Sequence, residues 1–304
     1  VSQFPALHRA EVALAERPGV GIAAPPAVVQ GRRQRPPRPF DRPRFLSLFT
    51  ALVYVYLFAP ILVVVIFSFN SKRSTQIFGS FSLTWYKQLL NDSGMIASLT
   101  ASIQIAFITM VVATALGTLL AFGLVRARSR AKRPTDVLML TNLVSPEIVT
   151  AIALLLVFTQ LGLTLSLTTV ILGHITFSIA YVTIIVRGRL VTFNTEVEEA
   201  ALDLGATNVQ AIRLVTLPLL WPAVIASALL VFVMSFDDFV TSYFTSGVEV
   251  APLPVRIYSM IHFGVTPEIN AVGTLMMAIT ISIVLLALAV YSRQQRARLA
   301  FLAE

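Results

Sequence analysis

The chain has 304 residues, 56% of them apolar and 12% charged, with a mean hydropathy of +0.81. A composition this apolar excludes an ordinary soluble domain and marks an integral membrane protein. The net charge of +8 is no nucleic-acid signal, because the basic residues stand beside the apolar blocks, and the absence of cysteine removes disulfides, thiolate metal sites and cysteine nucleophiles.

Residues 1–43 hold eight prolines and seven arginines and contain no apolar core of signal-peptide length. They are predicted to be a disordered, basic cytoplasmic tail, with gripping of anionic headgroups by the arginines as the alternative. Residues 46–69 run 24 positions without a charge, and a spanning helix needs only about 20; Pro60 is expected to kink this first span. The polar stretch 70–92 follows, with Trp85 and Tyr86 expected at the headgroup level as interfacial anchors. Residues 98–125 form the second predicted span, in which Ala113, Gly117 and Ala121 place small side chains four apart and either invite a close neighbour or simply reflect how common Ala and Gly are in membrane helices.

A basic loop comes next, made by Arg126, Arg128, Arg130, Lys132 and Arg133. Residues 137–186 are then apolar apart from Glu147 and His174, long enough for two spans with their turn at 162–166. Span five is predicted over 219–244, interrupted by Asp237 and Asp238, and span six over 269–292, before a cytoplasmic tail at 293–304. The predicted fold class is therefore all-α: a polytopic protein whose six transmembrane helices occupy residues 44–292. With the amino terminus inside, 19 basic residues fall on the cytoplasmic side and 4 outside; without the tail the balance is still 11 to 4. Both termini and the loop 187–219 are thereby placed in the cytoplasm.

Within that loop, residues 196–218 read EVEEAALDLGATNVQAIRLVTLP. They predict two short helices. Gly205 ends the first through its tolerance of left-handed geometry. Thr207 or Asn208 caps the second, Val209, Ile212 and Val215 share one face, and Leu217-Pro218 closes it. Neither piece is long enough to cross a bilayer. The pattern resembles the cytoplasmic loop of the permease subunits of type I ATP-binding-cassette importers, which has the form EAA, three residues, Gly, nine residues, Ile, any residue, Leu-Pro. Glu199, Ala200, Ala201, Gly205, Leu217 and Pro218 fall in register, with Val215 in the Ile position. The resemblance implies the six-helix MetI-like permease fold and a coupling helix seated in a groove of a separate ATPase.

The acidic residues in the predicted spans are Glu147, Asp237 and Asp238, and no Lys or Arg lies in a span to pair with them. Each costs about 2.5 to 3.5 kcal/mol near the midplane on insertion scales, so such residues normally face a bundle interior or watery cavity, where negative charge suits a cation. The alternative for the Asp pair is a hydrated position near the outer headgroups. Phe236, Phe239 and Tyr243 flank the pair and supply either cation-π contact or simple packing. His174, alone in its span, is expected to be hydrogen-bonded across helices.

The blocks SFNSKR, SPEIVTAIALLLVF, HITF, SFDDFVTSYFTSG and LPVRIYSMIHFGVTPEINA, within residues 45–291, resemble the C-type membrane subunits of spermidine/putrescine importers. That resemblance implies a polyamine substrate, a B-type permease as partner in a heterodimer, a cytoplasmic ATPase dimer and a periplasmic polyamine-binding protein, in the bacterial inner membrane. The chain carries no GxxxxGK[ST] phosphate loop, no HExxH and no Cys/His cluster. No catalytic residue, metal or cofactor is assigned to it, and ATP with Mg²⁺ is expected on the partner ATPase. An importer of the same class for an opine, amino-acid derivative or ferric ion is the nearest competing reading. A proton-driven secondary transporter leaves the Glu199 pattern unexplained, and a membrane enzyme using Asp237 with Asp238 is disfavoured because adjacent helical positions point about 100° apart.

Overall fold

In a bilayer every backbone polar group must be satisfied within the protein, so long apolar runs are expected as helices. The computed structural model describes residues 44–126, 132–264 and 266–301, and is helical in each such run. The predicted tail at 1–43 and positions 127–131 of the basic loop lie outside the described residues. The chain divides into two units, Val1–Leu57 and Phe58–Glu304. In chain order the helices are α1 (Arg44–Ser68), α2 (Thr84–Asn91), α3 (Ser93–Arg126), α4 (Lys132–Val144), α5 (Glu147–Gln160), α6 (Leu167–Val191), α7 (Glu196–Asp203), α8 (Asn208–Ala211), α9 (Leu217–Asp237), α10 (Val240–Thr245), α11 (Leu253–His262) and α12 (Pro267–Phe301).

Among the described residues, five helical stretches are long and apolar enough to cross a membrane: Phe45–Ser68, Ser93–Arg126, Leu167–Val191, Asn208–Asp237 and Pro267–Ala289. The sixth candidate is α4 with α5, bent by 112°. The first of the two spans expected within 137–186 is therefore broken in its middle. Pro146 lacks an N–H and disfavours helical geometry at Ser145, so the chain turns there and restarts at Glu147. The turn expected at 162–166 is present, with Gly162 at φ +70°.

The centre of the bundle is α3 against α6, with α9 laid across both. Gly117 makes the close approach: a Cβ there would lie 2.6 Å from Val182 Cβ and 3.0 Å from the Ile179 carbonyl. Thr183 Oγ1 donates across the same gap to the Gly117 carbonyl at 3.2 Å. Ala113, Ala121, Val182, Val186, Leu220, Val224 and Val231 are buried around it. A second cluster, at the N-terminal end of α3, gathers Trp85, Leu89, Met95, Phe236, Leu253 and Val272. Trp85 is thus buried inside the protein rather than left as a headgroup anchor, with Tyr86 half-buried against the same cluster. The indole Nε1 donates to the Asn70 carbonyl at 2.6 Å, and the Tyr86 hydroxyl meets Ser68 Oγ at 2.8 Å, as buried aromatic polar tips require.

Two further boundaries differ from the sequence reading. Leu217-Pro218 does not close the second short helix. The chain passes from α8 through a π-helical turn, Ile212–Thr216, directly into α9, and such a widened turn is a known way to seat a proline whose ring would clash with the carbonyl four residues back. The last helix also continues to Phe301, past the boundary expected at Ser292, since RQQRARLAF contains no helix breaker.

Candidate functional site

Asp237 and Asp238 are adjacent in sequence and separate in space. Helix α9 ends at Asp237, and Asp238 is extended, with φ −69° and ψ 117°. The Asp238 side chain turns inward: its Oδ2 lies 2.8 Å from His174 Nε2 and accepts the Ser242 N–H at 3.0 Å. His174, fully buried on α6, meets Ser235 Oγ through Nδ1 at 2.7 Å and Ser242 Oγ through Nε2 at 3.2 Å. An ionised carboxylate only accepts, so Nε2 carries the proton toward Asp238 and Nδ1 accepts from the Ser235 hydroxyl. Glu147, exposed at the first turn of α5, stands beside Asp238. The bend at Pro146 brings it there. Among the described residues no three His, Asp or Glu side chains are grouped to hold a metal ion.

The negative charge at Asp238 is therefore partnered, which the sequence reading, looking for Lys or Arg, had not joined to His174. Asp237 is exposed. Its oxygens accept from Thr280 Oγ1 of α12 at 3.3 and 3.4 Å.

The three aromatic candidates also divide. Phe236 is 1% exposed and belongs to the cluster with Trp85 and Leu253, so it lines no open surface in this structure. Phe239 and Tyr243 stand with Tyr258 and His262 of α11, at ring separations of 4.8 Å from Phe239 to Tyr258, 5.5 Å from Tyr243 to Tyr258, and 4.6 Å from Tyr258 to His262. Tyr243 and Tyr258 remain 47% and 38% exposed. Sequence reasoning missed Tyr258 and His262; their spacing of four in LPVRIYSMIHF, which puts both on one helix face, was the available signal.

Helix α11 is tied to the start of α3. Arg256 Nη2 meets Asp92 Oδ2 at 3.0 Å, and Ser102 Oγ accepts the Leu253 N–H at 2.8 Å. Partial burial works against the Asp92 carboxylate, but N–H donation from Met95 and Gly94 and the Arg256 guanidinium beside it hold its pKa below the usual value.

The predicted coupling segment folds as α7, α8 and the π turn. Gly205 has φ +89° and ends α7. Thr207 Oγ1 accepts the Gln210 N–H, and the Gln210 side chain accepts the Thr207 N–H, a reciprocal capping box. Glu199 and Ala200 are exposed, Ala201 and Val215 half-buried, Leu217 half-buried and Pro218 exposed. The loop leaves large apolar side chains in the open: Leu204 at 90%, Val209 at 72% and Leu214 at 69%.

Residues 113–298 match the model of the family described as binding-protein-dependent transport system inner membrane component. The spermidine/putrescine transport system permease protein PotC of Haemophilus influenzae is 40% identical over 79% of this chain and 93% of its own. The putrescine transport system permease protein PotI of Escherichia coli K12 is 37% identical over 74% of this chain and 83% of its own. Among solved structures, a chain of a bacterial ABC transporter involved in alginate import superposes with a TM-score of 0.65 at 14% identity, covering 82% of this chain and 95% of that one. A chain of the MetNI methionine ABC transporter gives 0.55 at 18%, covering 70% and 99%. The α3–α6–α9 bundle is thus the fold of ABC importer permeases, and the chain belongs to the family of binding-protein-dependent transport system inner membrane components.

Proposed function

We propose that this chain is one permease subunit of an ATP-driven importer that carries polyamines across the bacterial inner membrane. The observation that carries the reading is the set of relatives at 37% to 40% identity, named as spermidine/putrescine or putrescine permeases and aligned over 83% to 93% of their own lengths. A polyamine is a flexible chain of ammonium groups separated by methylenes. The exposed carboxylates of Glu147 and Asp237 replace part of its hydration, and the rings of Phe239, Tyr243 and Tyr258 add cation-π attraction of about 0.5 to 2 kcal/mol each. Asp238 holds the surrounding helices and enters the pathway only through Glu147.

Both termini and the coupling segment lie in the cytoplasm, as the distribution of basic residues favours. ATP and Mg²⁺ are bound by a separate ATPase dimer, since this sequence carries no phosphate-binding loop. The exposed Leu204 and Val209, beside Glu199, form the tip that enters the ATPase groove. A B-type permease completes the pathway as the other half of a heterodimer, and a periplasmic binding protein delivers the polyamine. Closure of the ATPase pair moves α7, and the two permeases pass between outward- and inward-open states.

Reconstitution of the chain with its partner permease, ATPase and binding protein tests the reading. ATP turnover rises several-fold when spermidine or putrescine is supplied on the binding-protein side. A turnover that no polyamine stimulates overturns the substrate assignment.

A further inference from the structure

Helix α7 buries none of its residues. Beneath it lies a cavity of about 370 Å³ lined by Val125, Leu190, Phe193 and Leu202 among others, so apolar packing does not seat the helix on the spans. What reaches across is Glu198, the position before the resemblance-assigned Glu199. Its Oε2 accepts from Arg126 Nη2 at 2.5 Å, at the C-terminal end of α3, and from Thr216 Oγ1 at 3.0 Å, in the π turn at the foot of α9. Arg126 Nη2 also lies 3.4 Å from Thr216 Oγ1, closing a triangle. Thr216 is fully buried, and the Glu198 and Arg126 side chains are 17% and 32% exposed, so the contact is partly withdrawn from water. The Arg126 guanidinium sits 5.3 Å from the centre of the Phe122 ring, one turn back on α3, which fixes its direction. Among the described residues no other α7 side chain hydrogen-bonds to a span.

We propose that Arg126, Glu198 and Thr216 are the positioning residues that fasten the coupling helix to α3 and α9, so that its displacement by the ATPase is delivered to those two spans together. The proposal rests on the importer reading given above. Glu199, about 100° around the helix, lines the same cavity but is exposed and, among the described residues, makes no bond to a span, so it is left for the ATPase while Glu198 is held by the membrane domain. A helix joined to the spans only by the chain at its two ends would move with the ATPase and drag little with it. The charged triangle removes that slack, and its directionality transmits rotation as well as translation. α3 is the helix packed closest on α6, so a pull on Arg126 is passed through Gly117 and Val182 to the helix that holds His174.

The test uses the full complex in liposomes, with Arg126→Glu, Glu198→Arg, the reciprocal double variant and Thr216→Val. Each charge reversal is expected to keep the ATPase in the complex and its turnover within about twofold, while uptake per ATP falls about tenfold. The double variant regains most of the uptake, and Thr216→Val shows a smaller loss. Unchanged uptake per ATP in the single reversals overturns the proposal. So does dissociation of the ATPase, which would make the pair part of the docking surface, and so does a double variant that assembles without recovering. A native complex that takes up no polyamine sinks the substrate reading and not the fastening. The latter is also read as the separation of spin labels at Gly123→Cys and Asp203→Cys, which stays constant on ATP addition with native Arg126 and changes in Arg126→Glu; a separation that responds to ATP equally in both contradicts it.

Discussion

Replacing the two adjacent aspartates one at a time has opposite consequences. Asp238→Asn keeps the size of a side chain that is 3% exposed but turns the acceptor facing His174 Nε2 at 2.8 Å into a weaker or wrongly polarised group. A hydrogen bond to a charged partner is worth about 1.5 to 3 kcal/mol, and a buried donor left without its acceptor costs about 1 to 3. The same Oδ2 also accepts the Ser242 N–H, so either orientation of the amide weakens or loses both contacts, which places the net loss at about 2 to 4 kcal/mol. For a membrane domain of this length that corresponds to a fall of very roughly 4 to 16 °C in the midpoint of thermal unfolding. Asp237→Asn loses only long bonds of 3.3 and 3.4 Å to Thr280 at an exposed position, so its midpoint stays within about 2 °C, in line with surface substitutions. Its polyamine uptake is abolished or nearly so. Fluorescence-detected thermal unfolding of the purified complex, alongside uptake in liposomes, separates the two. An Asp238→Asn protein that melts like the native one, or an Asp237→Asn protein that transports normally, refutes the division of roles.

Gly205→Pro places a residue fixed near φ −65° where the chain needs +89°; with Glu199→Lys it uncouples transport, read as ATPase binding and substrate-stimulated hydrolysis falling together while the permease pair still assembles. Gly117→Val thrusts branches into Val182 and the Ile179 carbonyl, an overpacking that costs about 1 to 3 kcal/mol and is seen as a lower unfolding midpoint of the complex. The Asp92 carboxyl is held below its unfolded value. Its contribution is therefore present above pH about 4 and is lost as the pH falls through the folded value, so the stability advantage of the native protein over Asp92→Asn shrinks between pH 6 and pH 3.

The spans were legible because charge-free runs near 20 residues admit few other structures, and the small-residue spacing on α3 named the position of closest helix approach. The coupling segment was legible down to its Gly205 terminus and Thr207 cap, where local chemistry decides the geometry. The failures share a cause: long-range packing overrode a local signal. Pro218 carried a stop signal that a π turn absorbed, while Pro146, standing inside an apolar run, marked the real break and went unread. Trp85 has the composition of an interfacial anchor but is held by Asn70 and Leu253, contacts that follow only once α2, α3 and α11 meet. The acidic pair was visible, but its partition was not, because the turn at Asp238 points one carboxylate at a histidine 64 residues earlier in the chain.

Because the chain contains no cysteine, a single Leu204→Cys gives a unique handle at the tip of the coupling segment. With a membrane-impermeant maleimide, labelling is predicted in inverted vesicles and not in right-side-out ones, and bound ATPase blocks it. Labelling from the outer side would put the segment beyond the reach of ATP and contradict the account.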